Sequence, residues 1–84
     1  MSRLPEFGDI SQLIGEMIGV TEPKPDDNFV ELGGDSLIAL QVAIVAEERW
    51  GAEADLQEII LADTIREVHE LLVASIRGAA PQNT

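Results

Sequence analysis

Gly33-Gly34-Asp35-Ser36-Leu37-Ile38-Ala39-Leu40-Gln41-Val42-Ala43-Ile44-Val45-Ala46-Glu47-Glu48-Arg49-Trp50-Gly51 is the stretch on which the fold turns. Paired glycines and an Asp precede a run free of Gly and Pro, and Gly51 follows it. Those are start and stop signals for a helix from Ser36 to about Trp50. On a helical wheel of about 100° per residue, one half carries Ser36, Glu47, Leu40, Ile44, Leu37, Glu48 and Gln41. The other half carries Val45, Ile38, Arg49, Val42, Ala46, Ala39, Trp50 and Ala43, and is the core side, with only Arg49 out of place. A helix apolar on nearly all sides is either wholly buried or keeps an apolar strip for a partner. The polar residues between Leu37, Leu40 and Ile44 favour a strip. The alternative is that these three pack under the preceding loop.

On the N-terminal side, Ile10, Leu13, Ile14, Met17 and Ile18 recur at helical spacing and predict a first helix ending near Ile18, with Gly19 at its C-terminus. Asp9 and Gln12 form a candidate capping box, and Pro5 offers an earlier start. Residues 20–35 hold Pro23, Pro25 and Asp26-Asp27-Asn28. They read as a long ordered loop, with Phe29, Val30 and Leu32 as apolar anchors. Leu56–Ala62 predicts one short helix. Thr64 and Glu67 form a further capping box opening a last helix, with Ile65, Val68, Leu71, Leu72 and Ile76 on one side. No β-alternation and no repeat is visible. The expected fold is all-α, a four-helix bundle of three main helices and one short one, with a long loop between the first two. Residues 1–8 are expected as an N-terminal extension, 9–77 as the domain, and 78–84 as a flexible tail.

The chain has 84 residues, 16 Asp and Glu against 5 Lys and Arg, and a formal charge of −11. That is one domain, small for an enzyme that must enclose a substrate. At 45% apolar residues it is too hydrophobic for a disordered acidic tail. Nucleic acid and anionic membranes are poor partners for so few cations. Without cysteine there is no disulfide, thiolate metal site or Cys nucleophile. A single histidine, His69, makes a His-based metal or triad site improbable, so no metal and no catalytic residue is expected. Neither a secretory segment nor a membrane span is visible, and a cytoplasmic monomer is the default.

Ser36 opens the central helix, and its simplest role is an N-cap. Three features favour chemistry instead. Gly33 and Gly34 strip side chains from the approach. A helix N-terminus favours phosphate. The aliphatic residues one and two turns on extend a docking surface away from the hydroxyl. Asp35 opposes simple anion binding, which a covalently modified serine with a helping acid would reconcile.

The run Phe29-Val30-Glu31-Leu32-Gly33-Gly34-Asp35-Ser36-Leu37 resembles the phosphopantetheine attachment motif of carrier proteins. Its Gly-Gly-Asp-Ser form looks most like peptidyl carrier proteins of nonribosomal peptide synthesis. The resemblance covers about residues 9–77, including Asp26-Asp27-Asn28 before the motif and Leu56, Ile59-Ile60 and Ala62-Asp63-Thr64-Ile65 after it. It implies that Ser36 receives 4′-phosphopantetheine from coenzyme A through a phosphopantetheinyl transferase. It further implies that Asp35 contributes to the metal-assisted transfer complex, and that the terminal thiol carries aminoacyl or peptidyl groups as thioesters. Leu37, Leu40, Ile44, Ile60 and Leu61 match positions where family members meet partners. Those partners would be an adenylation enzyme and condensation and tailoring enzymes.

The short helix departs from the family pattern. Ile60, Leu61 and Asp63 stand where Phe, a polar residue and Pro are more frequent, which implies a restricted set of partners. The acidity is closer to acyl carriers of polyketide or fatty-acid type, the alternative reading within the family. The Met start, short tail and charge point to a freestanding carrier. Outside the family, an acidic non-catalytic helical adaptor accounts for charge and strip but not for the paired glycines. A hydrolase lacks a base to activate the serine.

Trp50 is expected as a core anchor and His69 as a boundary residue. Asp26-Asp27-Asn28 reads as loop chemistry, since its spacing does not fit an EF-hand. Arg49, Arg66 and Arg77 have acidic neighbours and should be solvated or paired.

Overall fold

A computed structural model describes residues 4–79. Four helices follow in order: α1 (Phe7–Ile18), α2 (Ser36–Trp50), α3 (Leu56–Leu61) and α4 (Ile65–Ala79). Among the described residues the only β-type pairing is an isolated antiparallel bridge between Asn28 and Thr64. α2 packs on α1 and α3, and α4 packs on the same two. The expected all-α architecture, with α3 as the short member, is what forms.

The core is mostly aliphatic, with Phe29 of the long loop as its one large aromatic side chain among the described residues. Ile10 and Ile14 of α1, Ala39, Val42 and Ala46 of α2, Ile59 of α3 and Ile65, Val68 and Leu72 of α4 are fully enclosed. Each large member contributes about 1.5–3 kcal/mol through burial. Trp50 is half-buried against this cluster and closes one end.

Helix ends depart in detail from expectation. α1 opens at Phe7, two residues beyond Pro5 and inside the stretch expected as an extension. Its cap is Glu6, whose backbone N–H donates to Asp9 Oδ2 at 2.9 Å. Asp9 is therefore the far half of a capping box, and Gln12 instead reaches Glu16 along the helix. Pro5, just before α1, is tied down: it is buried and its carbonyl lies 2.9 Å from His69 Nε2. Phe7 meets the His69 ring edge-on at 5.9 Å between centroids. His69 is thus a boundary residue with a specific task, joining the N-terminal segment to α4. At α4, Thr64 Oγ1 accepts from Glu67 N, while the Glu67 carboxylate accepts from Asp63 N. α4 runs through Gly78 to Ala79. The rest of the expected tail, and the side chain of Arg77, lie outside what is described.

The long loop is ordered by its own polar residues. Asp27 Oδ2 accepts from Lys24 N, and Asn28 Oδ1 from Glu31 N. Phe29 N donates to Asp63 O, Ile65 N to Asp27 O and Arg66 N to Pro25 O. Arg66 also pairs with Asp26 at 2.7 Å, an exposed bridge worth little by itself. The Asp26-Asp27-Asn28 cluster is therefore loop chemistry that stitches the loop to the start of α4. Of the three expected anchors, Phe29 is buried and Leu32 half-buried, but Val30 is exposed.

Candidate functional site

The site lies where the loop turns into α2. Asp35 is the N-cap of that helix: its Oδ1 accepts from Ile38 N at 3.0 Å, and its carbonyl accepts from Ala39 N. Ser36 is therefore the first helical residue and not the cap. Asp35 performs the simple task that Ser36 alone could have explained, which leaves the exposed Ser36 hydroxyl uncommitted. The other serines described are engaged. Buried Ser11 donates to Pro23 O at 2.5 Å, and Ser75 donates to Leu72 O at 2.8 Å.

The two glycines serve different ends, and one corrects the expectation. Gly33 is exposed, with φ +116, a conformation that an L side chain rarely adopts. Gly34 is buried, and a Cβ there would stand 2.5 Å from the Phe29 ring. Its missing side chain makes room for Phe29 from within the fold, not for a ligand arriving from solvent. Gly34 N also donates to Phe29 O, so ring and backbone fix the turn together. The physical result is a rigid corner that presents Ser36 outward.

A phosphodiester on Ser36 fits this corner. Capping uses the Ile38 N–H and the first helical turn uses the Ala39 N–H. The N–H groups of Ser36 and Leu37 are the ones left at the positive end of the helix dipole. Among the described residues no group of three or more His, Cys, Asp or Glu is placed to hold a metal ion. Asp35 is a single exposed carboxylate beside the hydroxyl.

Downstream of Ser36, the wheel is realised residue by residue. Leu37, Leu40, Gln41, Ile44, Glu47 and Glu48 are exposed, while Ala39, Val42 and Ala46 are buried. Leu37 is 60% exposed, Leu40 41% and Ile44 48%, so they do not pack under the loop. From α3, Leu61 is 74% exposed, but Ile60 is half-buried against the core. Ile60 shares its side chain between structure and surface, and Leu61 does not. Val30, 59% exposed just before the turn, is an apolar surface residue that its sequence context assigns to the interior. Phe29 and Val30 sit in a tight turn, closed by Leu32 N donating to Asn28 O and Gly34 N to Phe29 O, which takes the ring inward and leaves Val30 outside. No helix among the described residues is long and apolar enough to cross a membrane.

Known proteins match the chain both in sequence and in fold. The family described as "Phosphopantetheine attachment site" matches residues 8–72. A component of the linear gramicidin synthase of Brevibacillus parabrevis is 32% identical over 74 residues, covering 88% of this chain and 1% of that protein. Isonitrile lipopeptide synthase of Mycobacterium tuberculosis is 27% identical over 82 residues, covering 81% of this chain and 3% of that one. The chain thus spans a very small part of either curated relative. Among solved structures, the actinorhodin holo acyl carrier protein of S. coelicolor superposes with a TM-score of 0.78 at 27% identity. That match covers 95% of this chain and 100% of the other.

Proposed function

The chain belongs to the phosphopantetheine attachment family of carrier proteins, and on that premise we propose that Ser36 holds its 4′-phosphopantetheine. The observation that carries the assignment is the division of labour at the start of α2. Asp35 caps the helix, so Ser36 presents an exposed hydroxyl beside free N–H groups on a corner fixed by Gly34 and Phe29. When bound, the group supplies a terminal thiol on which acyl cargo is held as a thioester. The chain's own residues orient the attachment point, leave its approach open and offer an apolar strip for docking. Asp35 takes a second part, lending its carboxylate to the metal-assisted transfer complex that modifies Ser36.

The protein is a non-catalytic carrier, the substrate of other enzymes: a phosphopantetheinyl transferase, an adenylation enzyme, and condensation and tailoring enzymes. Leu37, Leu40 and Ile44 with Leu61 form the docking strip, flanked by Val30 and partly by Ile60. The cargo is aminoacyl or peptidyl. The Gly-Gly-Asp-Ser sequence and the likeness to two peptide-type synthases support this reading. A second reading, an acyl carrier of polyketide type, draws on the full-length structural likeness to the actinorhodin protein and on the charge of −11.

Loading separates the two. The holo protein should gain an aminoacyl mass from one member of an amino-acid panel with an adenylation enzyme, and none from malonyl-coenzyme A with a malonyl transferase. Malonyl loading alone would establish the polyketide type.

A further inference from the structure

A second surface adjoins the Ser36 strip and shares only Leu61 with it. Between α3 and α4 runs an open groove of about 530 Å³. Its apolar lining includes Leu61, Leu71 and Ala74, and its charged lining is Glu58, Glu67 and Glu70, with no Lys, Arg or His. Leu37, Leu40 and Ile44 do not line it. Leu61 is the most exposed large apolar side chain among the described residues, and Leu71 is half-buried. The three glutamates are exposed, and Glu67 is held in place by accepting from Asp63 N.

We infer that this groove docks a basic amphipathic helix of a partner protein, independently of whether Ser36 is modified. Shape and charge together select that occupant. On α4 the lining runs from Glu67 to Ala74, about 10 Å of helix at 1.5 Å per residue. That length accepts two turns of a helix whose apolar residues recur at i, i+3, i+4 and i+7. The glutamates match Lys or Arg flanking such a stripe, and opposite charge across an interface fixes orientation and speeds encounter. A second copy of this chain is a poor occupant, because at −11 it brings carboxylates against carboxylates. An acyl chain would fill the apolar part but leave the glutamates without a role. The apolar departure at Leu61 also gains a purpose here, since it supplies the α3 wall of the groove.

The test is amide chemical-shift mapping on the isotope-labelled full chain in its apo form. The probe is a synthetic amphipathic helical peptide with a leucine stripe flanked by lysines, compared with a permuted peptide of identical composition. Saturable shifts centred on Leu61, Glu67, Glu70, Leu71 and Ala74 are expected, from the patterned peptide only. Leu61→Gln and Glu70→Gln should each weaken binding by about fivefold, which corresponds to roughly 1 kcal/mol. Both side chains are exposed, and unchanged far-ultraviolet circular dichroism verifies the fold. If Leu61→Gln misfolds, Glu70→Gln carries the comparison alone. Equal binding of the permuted peptide overturns the inference, as does a response confined to Leu37, Leu40 and Ile44, or none at all. Shifts of the groove residues with sodium octanoate or with rising protein concentration, but not with the peptide, would reassign it to an acyl chain or a second copy.

Discussion

The Asp35 carboxylate accepts a hydrogen bond from the backbone N–H of Ile38 at 3.0 Å, and so closes the N-terminus of α2 in place of its neighbour Ser36. This single contact separates two functions that adjoin in sequence. One residue holds the helix end, and the next is free to be modified.

Replacing Asp35 separates its two roles. Asp35→Ala should cost about 1 kcal/mol, or roughly 4–8 °C in Tm for a domain of this size. Asp35→Asn keeps a capping oxygen and should lie within a few tenths of a kcal/mol of the native protein. Both should accept phosphopantetheine more slowly, because both lack the carboxylate. Thermal unfolding and a transferase assay on the two variants measure this. An Asn variant loaded at the native rate confines Asp35 to capping.

Gly34 and Phe29 are tightly coupled. Gly34→Ala should destabilise by about 1–3 kcal/mol, since its methyl would overlap the Phe29 ring. Shrinking the ring in Gly34→Ala/Phe29→Leu should recover part of the cost of the first change. A urea-denaturation cycle over the two singles and the double quantifies the coupling. Strict additivity would show that the glycine has another purpose.

How much of the fold and site is legible in the sequence depends on the residue. The two faces of α2 can be read from periodicity, and the exposed and buried positions follow that reading with Arg49 exposed. The helix that Ser36 opens is equally plain. Which oxygen caps the helix is not, because Asp35 and Ser36 are adjacent and both residue types cap well. The Glu6 cap of α1 escapes for a related reason: glutamate is not a favoured cap, and Asp9 draws the box one turn late. Gly34 suggests space for a visitor because the ring that fills that space comes from five positions earlier. Val30 is misplaced because a turn, unlike a helix or strand, has no fixed periodicity to say which neighbour points inward.

The docking strip predicts a contrast within one helix. Leu40→Asp and Ile44→Asp should slow loading by the adenylation enzyme at least about tenfold while leaving stability within roughly 0.5 kcal/mol. Val42→Ala, on the buried face, should do the reverse, with a clear loss of stability and little effect on loading of the folded fraction. Stopped-flow kinetics with parallel unfolding curves make the comparison. Unfolding of the Leu40 or Ile44 variants would place those side chains in the core.

His69 ties the segment before α1 to α4 through Pro5 O and the edge of Phe7. His69→Ala should cost about 1 kcal/mol and accelerate amide exchange in the first turn of α1. The start of α2 should be unaffected. Hydrogen exchange resolved by residue gives the pattern, and unchanged protection at Phe7–Ile10 would show that the contact holds nothing.

A charge of −11 around an apolar strip should steer partners with basic docking surfaces. The association rate with the transferase should then fall steeply as salt rises from low to physiological strength, with a smaller change in dissociation rate. Rates independent of salt would leave the acidity as a solubility feature.

The carrier role stands or falls with Ser36 as the attachment point, and site-resolved mass spectrometry decides it. The native chain is incubated with coenzyme A and a promiscuous phosphopantetheinyl transferase, weighed intact, then fragmented. We predict a gain of one phosphopantetheine, located on Ser36 and abolished in Ser36→Ala. No gain on the native chain, a gain that survives Ser36→Ala, or a group mapped to Ser11 or Ser75 would contradict it.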